Sequence, residues 1–570
     1  MSTIQKAKQQ VLTDLKSAIG KAYTPTMEEL SYPPDAKMGD LSFACFALAK
    51  GLKTNPAQLA TELAAKIAPA GFVKSASAIG PYVNFTFDHH ALSEAVLQEV
   101  SEKKQAYGTS NTGGEKSVMV EYANLNTHKD VHIGHLRNLL VGQAAVELYR
   151  ANGYRVIPAT YINDLGAHVA SCVWAVHNVG GGKPAEGEDN ITFLQRMYVE
   201  AVKQAGENPA VKEEISQVQR DLEAGKGPLR SLWKTTHRWS TAYLKMVYKE
   251  FKLPLETWYF ESDFIKKTKQ AIEELIKKGI VTSSQGAWIV DLEAEGLGAN
   301  LLVKTDGTLL YNAKDIALAL QKEEDYHPQR SVYVIDARQS LVMKQLFATL
   351  KRMGFTKELQ HLSYEFVTLK EGAMSSRKGN IVRYEPFRDE VLNMARQETK
   401  KRHEDWSEKQ VEKTARAVAF AAVRFGILKQ DLDKKIVFDL QEAVSFEGFT
   451  GPYLLYSFAR MKSLLRKAKT RKSTTTPVVS SGPAASEHQL LLTLGKYPEV
   501  VFSAGQSMRI SSVAQYLFDL CKTFAEFYEQ VPVLESEKDV RAARLALVTA
   551  TAQVLQNGLG LLGVETVDEM

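Results

Sequence analysis

Cysteine is scarce and long apolar runs are missing. The 570 residues include three cysteines, Cys45, Cys172 and Cys521, far apart along the chain. No CxxC pair exists, which argues against structural zinc and against a disulfide framework. No apolar stretch approaches the roughly 18–20 residues that span a bilayer. The opening MSTIQKAKQQVLTDLKSAIG reads as an amphipathic helix without a signal peptide's apolar centre. A cytoplasmic protein without membrane contact is expected. A strong excess of one charge is also missing: 71 Lys and Arg against 66 Asp and Glu leave a net charge of +5. That permits a polyanionic partner without demanding one.

What is present is an ordinary globular composition, with 44% hydrophobic and 24% charged residues. At roughly 150 residues per domain the length suggests about three to four domains. Residues 1–110 read as a separate N-terminal α+β module. Helical patterns lie near 4–19, 41–52 and 56–68, followed by the strand-like GPYVNFTF (80–87) and a helix over 91–106. YGTSNTGGEK (107–116) has a linker's composition. SVMVEY (117–122) then reads as a buried strand. Leu136, Leu140, Ala144 and Leu148 recur with helical spacing, and YRVIPATYIN (154–163) is a second strand. Strand, helix, strand is a βαβ unit, so residues 117–384 are expected to form a parallel-sheet α/β domain of Rossmann type with insertions. AWIVDL (287–292), YEFVTL (364–369) and RSVYVIDA (330–337) are further strand candidates, and 311–323 is helix-like. Residues 385–570 read as helical, interrupted by the Ser/Thr/Pro-rich stretch 470–487.

Histidine totals 12, yet three of them crowd into NTHKDVHIGHLRN (126–138). A His-x-Gly-His string is expected only about 0.02 times in a chain of this usage. A polar solvated turn is the plain reading. Position favours another, because the string follows a strand and opens a helix, where free N–H groups and the helix dipole suit phosphate. Gly134 lets a nucleotide approach the backbone. His132 and His135 offer N–H donors, and Lys129 adds a positive charge. A second segment, EGAMSSRKGNIV (371–382), is either a basic surface turn or a loop that closes on a pyrophosphate leaving group.

His132-Ile133-Gly134-His135 followed by Met374-Ser375-Ser376-Arg377-Lys378-Gly379 resembles the two signature motifs of class I aminoacyl-tRNA synthetases. VEYANLNTHKDVHIGHLRN, LQEAVSFEGFTGPYLLYSFAR (440–460), Gly39-Asp40 with GPYVNF, and the tail ARLALVTATAQVLQNGLGLLGVETVDEM resemble the arginyl-tRNA synthetases in particular. The resemblance implies a Rossmann-type catalytic domain between an N-terminal module that contacts the tRNA elbow and a C-terminal all-α bundle that binds the anticodon. It also implies ATP-dependent ligation of L-arginine to tRNA(Arg) through an arginyl-adenylate. ATP is a substrate, Mg²⁺ accompanies it, no protein metal ligands are expected, and the usual state is a monomer.

By the same resemblance, Lys129, His132 and His135 carry catalysis. They bind ATP together with Gly134, Met374, Ser375, Ser376, Arg377 and Lys378. Ala373 and Ser376 stand where the superfamily has lysines, and Lys129 is the implied substitute cation. Glu121 and Asn126 resemble the holders of the substrate's α-amino end. Tyr311, Asp315 and Gln339 resemble the side-chain pocket, where a planar forked guanidinium needs a carboxylate and flat acceptors. Asp315 could instead pair with Lys314 or cap a helix. Glu261 is either a second carboxylate of the pocket or a surface residue. Asn163-Asp164-Leu165-Gly166 is a structural turn or a rim of the site. ARMKSLLRKAKTRKS (459–473) holds seven Lys or Arg and no acid. It is a solvated face or, with Tyr453, Tyr456 and Arg460, a track for tRNA.

Overall fold

The structure is a computed structural model that describes residues 1–370, 382–469 and 484–570, with only the backbone for Lys469. The second sequence motif, Met374 to Lys378, lies outside the described residues.

At the N-terminus an antiparallel sheet runs in the order Leu30–Ser31, Leu41–Ala44, Tyr82–Phe87, Val73–Ile79. Four helices flank it, Thr3–Ile19, Phe46–Leu52, Pro56–Lys66 and His89–Lys103. The expected helix over 41–52 is therefore corrected. Leu41–Ala44 is a strand because it finds partners on both edges, Leu30–Ser31 and Tyr82–Phe87. The helix starts only at Phe46. The strand Val73–Ile79 carries no apolar alternation that sequence reading could catch, since six of its seven residues lack full burial.

The central sheet is parallel and five-stranded. In chain order its strands are β1 (Ser117–Glu121), β2 (Arg155–Ile162), β3 (Thr257–Phe260), β4 (Arg330–Asp336) and β5 (Glu358–Tyr364). In space they run β5-β4-β1-β2-β3. Strand order thus reverses between β1 and β4, and ligands of open α/β sheets sit at such a switch point, beyond the carboxyl ends of the strands. β1 is buried along its whole length, as a strand covered on both faces must be. Helix α1 (Ile133–Ala151) returns from β1 to β2. It packs so close that a Cβ on Gly142 would fall 2.2 Å from the Tyr122 ring. Four helices, Ala167–Asn178, Asn190–Glu207, Pro209–Glu223 and Arg230–Glu250, are inserted between β2 and β3. AWIVDL belongs to a separate antiparallel sheet, Thr282–Ser284, Ala287–Asp291 and Ala299–Val303, which leads into helix α2 (Tyr311–Tyr326).

The stretch read as one strand, YEFVTL, is split. Tyr364 ends β5, whereas Val367–Leu369 pairs in parallel with Ile436–Phe438, well beyond position 384. The α1 residue Arg137 is fully buried and binds four carbonyls, those of Glu365 (2.5 Å), Lys434 (2.7 Å), Asp431 (2.8 Å) and Leu432 (3.3 Å). The helices Tyr384–Arg402, Glu408–Leu428, Gly451–Lys469, Ala485–Ser507, Ile510–Gln530 and Lys538–Leu561 follow. One continuous core joins the N-terminal module, one face of the sheet and this bundle. Lys8 and Tyr32 of the module both reach Glu499 of the bundle, at 2.8 and 2.7 Å. Among the described residues no helix is long and apolar enough to cross a membrane.

Candidate active site

The loop after β1 is held in a conformation that its residues would not adopt alone. Ala123 and His128 both have φ 60°, the left-handed region that costs an L-residue about 1–2 kcal/mol. Around Ala123, Asn138 Oδ1 accepts from its amide (2.6 Å), while Thr160 Oγ1 (2.8 Å) and the Tyr248 hydroxyl (2.5 Å) donate to its carbonyl. His128 is 1% exposed. Its amide donates to Ser240 Oγ at 3.0 Å, and its ring nitrogens lie 2.9 Å from Thr127 Oγ1 and 2.8 Å from Thr236 Oγ1. The three histidines are therefore not one group. His128 anchors the loop to the helix Arg230–Glu250, and burial holds its ring neutral.

His132 and His135 do open on a cleft, of about 560 Å³, at the switch point. His132 caps α1, and the two rings stack with centroids 3.5 Å apart. The His132 amide donates to His135 Nδ1 at 3.1 Å, which leaves the His135 proton on Nε2. Burial, with Lys129 nearby, pushes His132 down to about 4. Burial, His132 and Lys129 push His135 down to about 3. At neutral pH both are uncharged donors. Gly134 lines the cleft beside them, and a Cβ there would meet the His132 ring at 3.0 Å. Lys129 is half-buried, its Nζ 5.5 Å from the Tyr198 ring centroid, and it does not line the cleft. Val382, the first described residue after the second motif, accepts from the Ile133 amide at 3.2 Å.

Glu121, Asn126, Tyr311, Asp315 and Gln339 line the same cleft. Tyr311 and Asp315 are one turn apart on α2. Asp315 is not paired with Lys314: that ammonium binds Glu261 and lies 3.9 Å from Glu223. Glu261 is no surface residue. It is fully buried at the start of the helix Glu261–Lys277, does not line the cleft, and accepts from Asn163 at 2.6 Å through its other oxygen. Asn163 itself lines the cleft, so the Asn163-Asp164 segment is its rim and not a turn alone. Asn124, Asn138, Tyr161, Asp336 and Arg338 also line it and were not singled out from sequence. Asn138 was findable in principle, one helical turn after His135, but its Nδ2 donation to Val334 O at 2.7 Å depends on β4. Among the described residues no three His, Cys, Asp or Glu side chains are grouped to hold a metal ion.

In the C-terminal bundle, Tyr456 and Arg460 line a groove of about 780 Å³ with Tyr528, Trp406 and the terminal Met570. Arg460 donates to the Tyr456 hydroxyl at 2.7 Å and lies 4.7 Å from its ring centroid. Tyr453 does not line this groove and packs edge-on against Phe518 at 5.6 Å. The acid-free basic run finds acids from the chain's end: Lys462 meets Asp568 at 3.5 Å and Arg466 meets Glu569 at 3.3 Å.

Three family models match the chain: the class I tRNA synthetase (R) catalytic domain over residues 96–440, the DALR anticodon binding domain over 454–570, and the arginyl tRNA synthetase N-terminal domain over 4–87. A Bdellovibrio bacteriovorus arginine–tRNA ligase is 39% identical, covering 98% of each chain. The Clostridium perfringens arginine–tRNA ligase is 33% identical, covering 95% of this chain and 96% of that one. Among solved structures, the Thermus thermophilus arginyl-tRNA synthetase superposes with a TM-score of 0.80 at 27% identity, covering 99% of this chain and 100% of that one. The Plasmodium falciparum enzyme shares the fold, with a TM-score of 0.78 at 18% identity and 99% coverage of both chains.

A parallel sheet with its cleft at the switch point, a histidine-capped helix start and an appended helical domain define the class, a class I aminoacyl-tRNA synthetase. Within that class the chain belongs to the arginyl-tRNA synthetase family, whose members join arginine to tRNA at the expense of ATP through an aminoacyl-adenylate.

Proposed function

We propose that the cleft between β1 and β4 is where this enzyme activates arginine. ATP lies along the start of α1, and its phosphates meet His132, His135 and the Gly134 backbone, with Lys129 contributing charge. The arginine carboxylate attacks the α-phosphorus in line, the bond to the bridging oxygen breaks, and pyrophosphate departs with that oxygen. No side-chain nucleophile is needed, so catalysis is positioning plus stabilisation of moving charge. The neutral His135 with its proton on Nε2 suits this work, because it donates without having to lose a proton. Met374, Ser375, Ser376, Arg377 and Lys378 are the proposed partners of the pyrophosphate. Mg²⁺ is expected to arrive with the phosphates and water, as it usually does at nucleotide sites.

Glu121 and Asn126 take the α-amino end of arginine. Asp315 takes the guanidinium against Tyr311, with Gln339 as a flat acceptor. The observation that carries this reading is one cleft that holds both the histidine-capped helix start and the Asp315 carboxylate. Tyr456 and Arg460 form part of the anticodon face, where a cation positions the backbone and an aromatic stacks on an unpaired base. The working state is a monomer in the cytoplasm.

The test is charging of total tRNA with each labelled amino acid, with and without ATP, beside Lys129→Ala. Arginine alone should be charged, only with ATP, and the variant should lose about 100-fold or more in kcat. Bound tRNA without charging of any amino acid would instead indicate a silent RNA-binding relative.

A further inference from the structure

The helix Gly451–Lys469 holds its cations in two kinds of surroundings. Arg460 faces aromatic rings, 4.7 Å from the Tyr456 centroid and 5.5 Å from that of Tyr528, and has no carboxylate partner among the described residues. Lys462 and Arg466, one turn apart, each meet an acid: Asp568 at 3.5 Å and Glu569 at 3.3 Å. Arg466 also donates from Nη1 to the Asp568 carbonyl at 2.8 Å, so its Nη2 serves the Glu569 carboxylate. Both acids belong to the segment after the helix Lys538–Leu561, which the buried Val564 anchors. Arg466, Glu569 and Met570 line the same groove as Tyr456 and Arg460. The groove therefore contains a carboxylate of this chain, with a second beside it on Lys462.

Exposure decides how firmly these acids are held. The four side chains of the two pairs are between 37% and 66% exposed, whereas Lys8 and Glu499, which pin the N-terminal module to the bundle, are 10% and 23% exposed. Ion pairs in that much solvent contribute little to stability, so another anion can replace the carboxylate at small cost. A guanidinium takes a phosphate in the same forked geometry as a carboxylate. We propose that Asp568 and Glu569 are built-in counter-anions of the groove. They occupy Lys462 and Arg466 in the free protein and yield both cations to RNA phosphates on binding, which lowers tRNA affinity below what the cations alone would give. Only side chains exchange: the Arg466 donation to the Asp568 carbonyl survives, and Met570 keeps its place. The proposal rests on this groove being the anticodon face.

Binding of labelled tRNA(Arg) to the full chain is followed by fluorescence anisotropy over a range of salt concentrations. The variant D568N/E569Q should lower the Kd about 3-fold or more at low salt, and the gain should shrink as added salt screens the pairs. K462Q/R466Q should raise the Kd about 3-fold or more. In that background the two acid substitutions should bring no further gain, because they act through the cations already removed. A gain of undiminished size there would be an effect of net charge alone and would overturn the proposal. A raised Kd in D568N/E569Q would overturn it too, and make the acids positioning residues that shape the groove for RNA. Arg460→Ala separates the proposal from its foundation. Weaker binding in that variant with K462Q/R466Q unaltered keeps the groove reading and removes the counter-anions, whereas unaltered binding in both shows the groove reading itself to be at fault.

Discussion

The rings of His132 and His135 stack at 3.5 Å at the first turn of α1, and the amide of the first donates to Nδ1 of the second. The pair is therefore a preset donor array facing the cleft. With His132 near pH 4 and His135 near pH 3, both stay neutral throughout the physiological range. ATP–pyrophosphate exchange, measured with tRNA present, should show no limb from these groups between about pH 5 and 8. His132→Ala and His135→Ala should each lower kcat by about 10²–10³, with little effect on the arginine KM.

Asp315 behaves oppositely. Burial first, then Glu121, pushes its carboxyl up to about 7 from an ordinary 3.8. On the proposed role only the ionised form would hold a guanidinium, so arginine affinity should be complete above about pH 7 and fall tenfold per unit below it. kcat/KM for arginine should show that limb, and Asp315→Asn should abolish it with a raised KM. Because the folded pKa is the higher one, the unliganded protein loses stability as pH rises from 3.8 to about 7. The asparagine variant should accordingly melt higher than the parent at pH 8.

His128 should divide structure from chemistry. Its ring satisfies Thr127 and Thr236 inside the protein and does not line the cleft. His128→Ala should destabilise by about 2–3 kcal/mol in denaturant titration, through lost packing and an unpaired buried hydroxyl. At a temperature where the variant is folded, its KM for ATP should stay within about 3-fold of the parent. A loss as large as that of His135→Ala would put it in the catalytic group instead.

Arg460 and Tyr456 should act on tRNA alone. Tyr456→Ala and Arg460→Ala should raise the KM for tRNA without altering that for arginine. If Arg460 meets a phosphate, its loss should also reduce the slope of log affinity against log salt by about one. Tyr453→Phe, packed on Phe518 outside the groove, should change neither.

How far the site could be read from sequence depended on how local the signal was. The histidine-capped helix start was legible, because strand, loop and helix succeed one another within a short stretch and each leaves its own pattern. Tyr311 and Asp315 were reached through the family resemblance, and their spacing of one turn on a helix agrees with both lining the cleft. Leu41–Ala44 was misread because its apolar run suits a strand or a buried helix equally, and partners distant in the chain decide. Glu261 could not be assigned, because its partner Lys314 is 53 positions away.

The amino-acid order by itself determined the α/β plan and the histidine-capped helix start through short-range periodicity, and the family through the resemblance of its motifs. Tertiary structure decided which histidines face the cleft and which one anchors the loop, because burial depends on the insertion helix that covers His128. It also decided the charge of the cleft. Lys322 and Glu121 are 201 positions apart and meet only when α2 packs across the carboxyl end of β1. Removing two such charges from water is costly unless they meet, so the pairing follows from the fold and no local spacing announces it.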